Sequence, residues 1–149
     1  MNYKKVIIRI VTGILVIFAS YFVLHIYANN KVINSYAAGF EKNPLGDYCK
    51  NTSDMVLCVY EAPLFQSKTN LSISSSMDKI DMIIWVPIYG GDLKSGLVIT
   101  DDNAERTYHI ELDENFETDI KEYNEILVEN QEAIDALKLV IHKEWNIDL

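Results

Sequence analysis

IVTGILVIFASYFVLHIYA, residues 10–28, decides the architecture: nineteen consecutive positions carry no Asp, Glu, Lys or Arg, and only Thr12, Gly13, Ser20 and His25 interrupt the apolar run. At about 1.5 Å per residue such a helix covers roughly 28 Å, the hydrocarbon thickness of a bilayer, and it satisfies its own backbone hydrogen bonds there. Tyr3, Tyr21 and Tyr27 stand at or near the ends, where amphipathic rings favour the interface. The expectation is a single-pass transmembrane helix over residues 10–28, with the lipid bilayer as its partner.

On the N-terminal side, residues 1–9 carry Lys4, Lys5 and Arg9, whereas Lys31 and Lys42 follow the run with Glu41 nearby. The positive-inside bias therefore points the N-terminus to the cytoplasm and the remainder outward, as a signal anchor. A cleaved signal peptide is the competing reading, since Ser35-Tyr36-Ala37 loosely matches a small-x-small site. A secretory apolar region normally spans about 7 to 15 residues, and here the run is longer with the site far downstream. His25 lies one turn from the outer end, where a neutral imidazole reaches the interface, and no second ionisable group within the run offers it a proton relay.

On the C-terminal side, Val32, Tyr36 and Phe40 recur at four-residue spacing with Ile33 beside them, which continues the helix as a juxtamembrane segment, 29–43. Asn43-Pro44-Leu45-Gly46-Asp47 ends it, so the exported domain is expected over 44–149.

Composition limits what that domain does. The chain has 149 residues, 49% hydrophobic, which excludes disorder, and 13 basic against 22 acidic side chains, net −9. Beyond residue 30 the balance is −12, which argues against nucleic acid as a partner. The bias to Lys over Arg, with abundant Ile and Asn, suits AT-rich bacterial or phage coding sequence, and hence a bacterial inner membrane with a periplasmic domain.

Cys49 and Cys58 are the only cysteines, and both fall on the outward side, so a disulfide is the natural inference, with two buried free thiols the alternative. Their spacing is not C-x-x-C, and only His109 and His142 remain outside the apolar run, which leaves a zinc site short of ligands.

The domain reads as α+β. Residues 55–60, 82–89, 97–100 and 106–112 form an antiparallel sheet of about four strands, the last two a hairpin around Asp101-Asp102-Asn103-Ala104-Glu105. Residues 67–76, rich in Ser, read as a polar edge strand or a loop, and Pro87 pushes its strand toward an edge or bulge. Ile120, Tyr123, Leu127, Ile134, Leu137 and Ile141 then recur at helical spacing, predicting one amphipathic helix over 118–145 capped by Asn115 or Thr118, with a break near Asn130 as the alternative.

On the other face of that helix Glu122, Glu125, Glu129 and Glu132 form a row of like charge. Residues 101–149 carry 15 acidic and four basic side chains, a field that speeds encounter with a cationic protein. The plainer reading of the row is a solvated face that keeps the domain soluble. Catalytic signatures are missing: no G-x-S-x-G, Walker loop, G-x-G-x-x-G after a strand, H-E-x-x-H or S-x-x-K occurs. Asp101, Asn103 and Glu105 have calcium-loop spacing, but Arg106 stands where that loop needs Gly and Leu112 where it needs an acid.

The expectation is a non-enzymatic, membrane-anchored binding domain without metal or cofactor, whose partner is a basic protein of the envelope. An immunity or inhibitor protein against a cationic toxin is one concrete form. The alternative is a structural subunit of a secretion or division complex, packing through the transmembrane helix with Gly13 and Ser20 as close-approach positions.

Overall fold

The apolar run is helical throughout, and the helix outlasts it: α1 spans Tyr3–Tyr36. In the computed structural model, which describes residues 3–75, 77–101, 105–113 and 115–149, this one helix near the N-terminus is long and apolar enough to cross a membrane. It has two unlike halves. Up to Leu24 every described side chain is exposed except half-buried Tyr21. From His25 onward a stripe of His25, Ala28, Asn29, Val32 and Ile33 is buried, at the three- and four-residue spacing that places side chains on one helix face. The end comes at Tyr36, and the first strand lies at Glu41–Lys42, ahead of Pro44.

The sheet is a seven-stranded antiparallel meander in sequence order: β1 Glu41–Lys42, β2 Tyr48–Asn51, β3 Met55–Val59, β4 Lys68–Ser75, β5 Ile80–Pro87, β6 Lys94–Asp101 and β7 Arg106–Leu112. The expected four strands correspond to β3, β5, β6 and β7; the serine-rich 67–76, read as an edge strand or a loop, supplies β4, and β1 and β2 are unforeseen. The pair β1 and β2 is short and interrupted by turn residues. Serine-rich β4 is the central strand rather than an edge, because Thr69, Leu71, Ile73 and Ser75 alternate inward while Lys68, Asn70, Ser72 and Ser74 face out. Pro87 sits at the end of an interior strand without cost: the Ile88 N–H bonds the Ser67 carbonyl, so the missing donor of Pro87 faces the β6 side, where pairing has already stopped at Trp85 with Lys94. Asp101 pairs with Arg106, as the expected hairpin requires, and its tip at 102–104, with the Asn103 of the calcium-like spacing, lies outside the described residues.

One sheet face holds the core. Leu57, Leu71, Ile73, Met82, Ile84, Leu97 and Ile110 meet Val32 and Ile33 of α1 and the helical residues Ile134, Leu137 and Ile141. The opposite face presents Ser72, Ile83, Trp85, Val98 and His109, with Trp85 lying so close over Gly96 that a Cβ there would meet its ring at 2.8 Å and the Ile110 carbonyl at 2.9 Å.

The single C-terminal helix expected over 118–145 is two: α2 Lys121–Glu129 and α3 Gln131–Trp145. Asn130 divides them at φ −106°, ψ 13°, with its side-chain amide donating to the Ile126 carbonyl at 2.8 Å. Asparagine weakens helices through this kind of local competition for backbone groups. Neither Asn115 nor Thr118 is the cap; Ile120 holds that position without a side-chain cap bond.

Candidate functional site

Among the described residues two places bring chemistry-bearing side chains together: the junction of α1 with the sheet, and an acidic surface around β7 and α2.

At the junction, His25 Nε2 lies 3.2 Å from the Ala62 carbonyl and Nδ1 lies 3.0 Å from the Tyr89 hydroxyl. A carbonyl only accepts, so Nε2 carries a proton, and Nδ1 shares a hydrogen bond with the phenol. One turn later, Asn29 Oδ1 accepts the Ala62 N–H at 2.9 Å. Both backbone groups of Ala62, itself buried, are thereby satisfied by α1 side chains. His25 is thus only 4% exposed, and its expected place at an interface is taken by the 60–67 and 88–93 connections. Further along, the Trp145 indole N–H donates to the Tyr36 carbonyl at 3.1 Å and stacks near Phe40, which closes α3 onto the end of α1.

Cys49 and Cys58 are bonded to each other. They face each other across β2 and β3 with Cα atoms 4.2 Å apart, close to the narrow pair spacing of an antiparallel ladder. The bond closes the hairpin that the sequence shows only as a turn-rich loop. Lys50 beside it donates to Glu144 at 2.6 Å, tying the same hairpin to α3.

All four glutamates of the expected row are exposed, but Asn130 splits them: Glu122, Glu125 and Glu129 share α2, and Glu132 begins α3. Beside the start of α2 a shallow cleft of about 620 Å³ gathers Glu111, Asp113, Glu117 and Asp119 with Lys94 and His109. A second cleft, about 500 Å³, is bounded by Tyr108, Ile126, Asp101 and Glu129. The acidic surface is therefore broader than one helix row, because the β7–α2 connection folds its own carboxylates against it. Sequence spacing alone does not reveal this, since those acids belong to no periodic element. Lys138 Nζ lies over the Phe116 ring, 3.4 Å from its centre, and burial lowers the lysine's pKa against the opposing pull of Asp135.

Among the described residues no group of three or more His, Cys, Asp or Glu side chains has the geometry to hold a metal ion. His109 is an exposed side chain on the uncovered sheet face. In comparisons with family models, curated proteins and solved structures the chain matches none, so the functional reading rests on its own geometry and charge.

Proposed function

We propose that the chain is a non-enzymatic, single-pass protein of the bacterial inner membrane whose extracytoplasmic α+β domain binds a cationic protein of the envelope. The observation that carries this reading is the division of α1. Its first half is exposed except where Phe18 and Tyr21 meet Phe65, and its second half is built into the core. Three cations precede the apolar run, which supports an N-terminus in the cytoplasm, and the Cys49–Cys58 bond suits an oxidising compartment on the other side. The exposed carboxylates of α2 and the β7–α2 connection are the surface offered to the partner; neutralising an incoming cationic toxin is the concrete form of that activity.

The test has two arms. Alkaline phosphatase fused at the C-terminus is expected to be active and a fluorescent protein fused there dark; the reverse pattern overturns the topology. The detergent-solubilised full chain is then challenged with envelope protein at low and high salt. Capture is expected to weaken as ionic strength shrinks the Debye length from about 10 Å toward 3 Å, and to fail for the variant Glu122→Gln/Glu125→Gln/Glu129→Gln/Glu132→Gln. Salt-insensitive capture, or capture unchanged by that variant, overturns the acidic docking surface.

A further inference from the structure

In a plain meander the connections alternate ends. At one end lie 43–47, 60–67 and 88–93, and at the other 52–54, 77–79, Asp101 and Glu105. The two ends differ in kind. The first end exposes Leu45, Leu64, Phe65, Tyr89 and Leu93; the second carries Thr52, Ser53, Asp54, Asp78, Lys79, Asp101 and Glu105, with Met77 its one large exposed apolar side chain among the described residues.

The apolar end is the one fastened to α1, and the fastening fixes its height. Phe65 stacks on Tyr21 with ring centres 5.7 Å apart and meets Phe18 edge-on at 6.3 Å, yet 65% of it stays exposed. Tyr21 and Phe18 lie inside the apolar run, so Phe65 sits about 10 Å short of the run's outer end, counted at 1.5 Å per residue from Tyr21 to Ala28. Phe65 occupies a tight turn, closed by the Gln66 N–H on the Pro63 carbonyl at 3.0 Å, at φ 73°, where a type II turn favours glycine. A bulky ring is thus held outward in a conformation that suits a residue without one.

Charge on this rim is balanced. Lys42 is tied to Glu61 at 2.8 Å, which raises the lysine's pKa chiefly through that hydrogen bond, and exposed Lys68 and Lys94 stand with Asp47 and Asp92. The carboxylates Asp113, Glu117 and Asp119 occupy the β7 side of the same end. Headgroup charge therefore gives the rim little net pull, and its apolar tips are what a bilayer surface accommodates.

We infer that the rim formed by 43–47, 60–67 and 88–93 seats in the outer surface of the bilayer, with Leu64 and Phe65 at the boundary between headgroups and acyl chains beside α1. Lipid is then the domain's second partner and fixes its tilt, with the β7 edge raised. The inference rests on reading α1 as a membrane anchor, and it moves the outer limit of the span from Ala28 to the Tyr21–His25 level.

The full chain is reconstituted in phosphatidylcholine vesicles whose acyl chains carry bromine either near the headgroup or near the chain end. Phe65→Trp is compared with Ile14→Trp, the wild-type chain giving the background from Trp85 and Trp145. Phe65→Trp is expected to lose roughly half of its added emission to the shallow bromines, and Ile14→Trp to be quenched best by the deep ones. Quenching of Ile14→Trp without Phe65→Trp overturns the rim inference and leaves the anchor standing; quenching of neither overturns both. In the wild-type chain, a carbene-generating lipid is expected to leave adducts on the peptide containing Leu64 and Phe65, and their absence alongside adducts on α1 overturns the inference without a substitution. Raised salt is expected to leave both signals unchanged, and a salt-dependent loss refutes the apolar contact proposed here.

Discussion

Ala62 is a small residue whose two backbone groups are both claimed by one helix, and this makes His25 and Asn29 the residues that set the domain on its stem. Asn29→Ala strands a buried N–H, and His25→Ala strands a buried carbonyl, while the half-exposed Tyr89 phenol turns to water. Each is expected to cost about 1–3 kcal/mol, the penalty of leaving such a group unpaired. Thermal unfolding in detergent, followed by near-ultraviolet dichroism, checks this against Ser20→Ala, a change on the bare half of α1 that is expected to leave the midpoint in place. The double variant is expected to cost less than the sum, because both side chains act on the same residue. The sequence holds a trace of this arrangement. Tyr21, His25, Asn29, Val32 and Tyr36 continue the stripe read from Val32 onward, and extending it backward into the apolar run marks His25 and Asn29 as facing protein. What hides the pairing is that Ala62, their partner, has no side-chain signal of its own.

At the scale of elements, the β2–β3 hairpin is the one held by a covalent bond. β1 pairs only with β2, in a register of two residue pairs, so the edge of the sheet depends on that hairpin. Removing the bond with Cys49→Ser/Cys58→Ser is expected to lower stability by about 2.5 to 3 kcal/mol, from the entropy of closing so short a loop. Urea unfolding measures the loss, and hydrogen exchange locates it: the amides of Tyr48–Asn51 are expected to exchange faster while β4 and β5 keep their protection. An unchanged denaturation midpoint, or exchange that rises evenly across the sheet, contradicts the role assigned to the bond. Legibility at this scale followed hydrophobic content. The strands β3, β5, β6 and β7 show as apolar or alternating runs in the sequence. By contrast, β4 alternates serine and asparagine against only two large apolar residues, and β2 is four residues of mixed character. Polar side chains on the uncovered face satisfy the sheet as well as apolar ones do, so strand formation there leaves no hydropathy mark. Asn130 likewise breaks a helix whose apolar period continues across it, and periodicity is blind to a bend that preserves the buried face.

For the whole molecule, the anchor proposed for α1 and the part of α1 that holds the domain meet between Phe18 and His25, and this decides how the helix is to be tested. Replacing 10–28 entire would remove Phe18, Tyr21 and His25 together with the anchor, and a collapse of the domain would pass for loss of a helix-packing function. Replacing only 10–17 with an unrelated apolar sequence of equal length leaves every contact to the domain in place, since the described side chains there are exposed and a Cβ added at Gly13 would meet nothing within 4 Å. The short exchange is expected to keep both the unfolding midpoint and the salt-sensitive capture of a basic partner, because a tether has no sequence requirement beyond length and hydropathy. Extending it through Asn29 is expected to lower the midpoint by the junction's several hydrogen bonds. If the short exchange keeps the midpoint but abolishes association with envelope proteins, the bare half of α1 is itself a packing surface, and the chain is a subunit of a membrane assembly instead of a tethered binder.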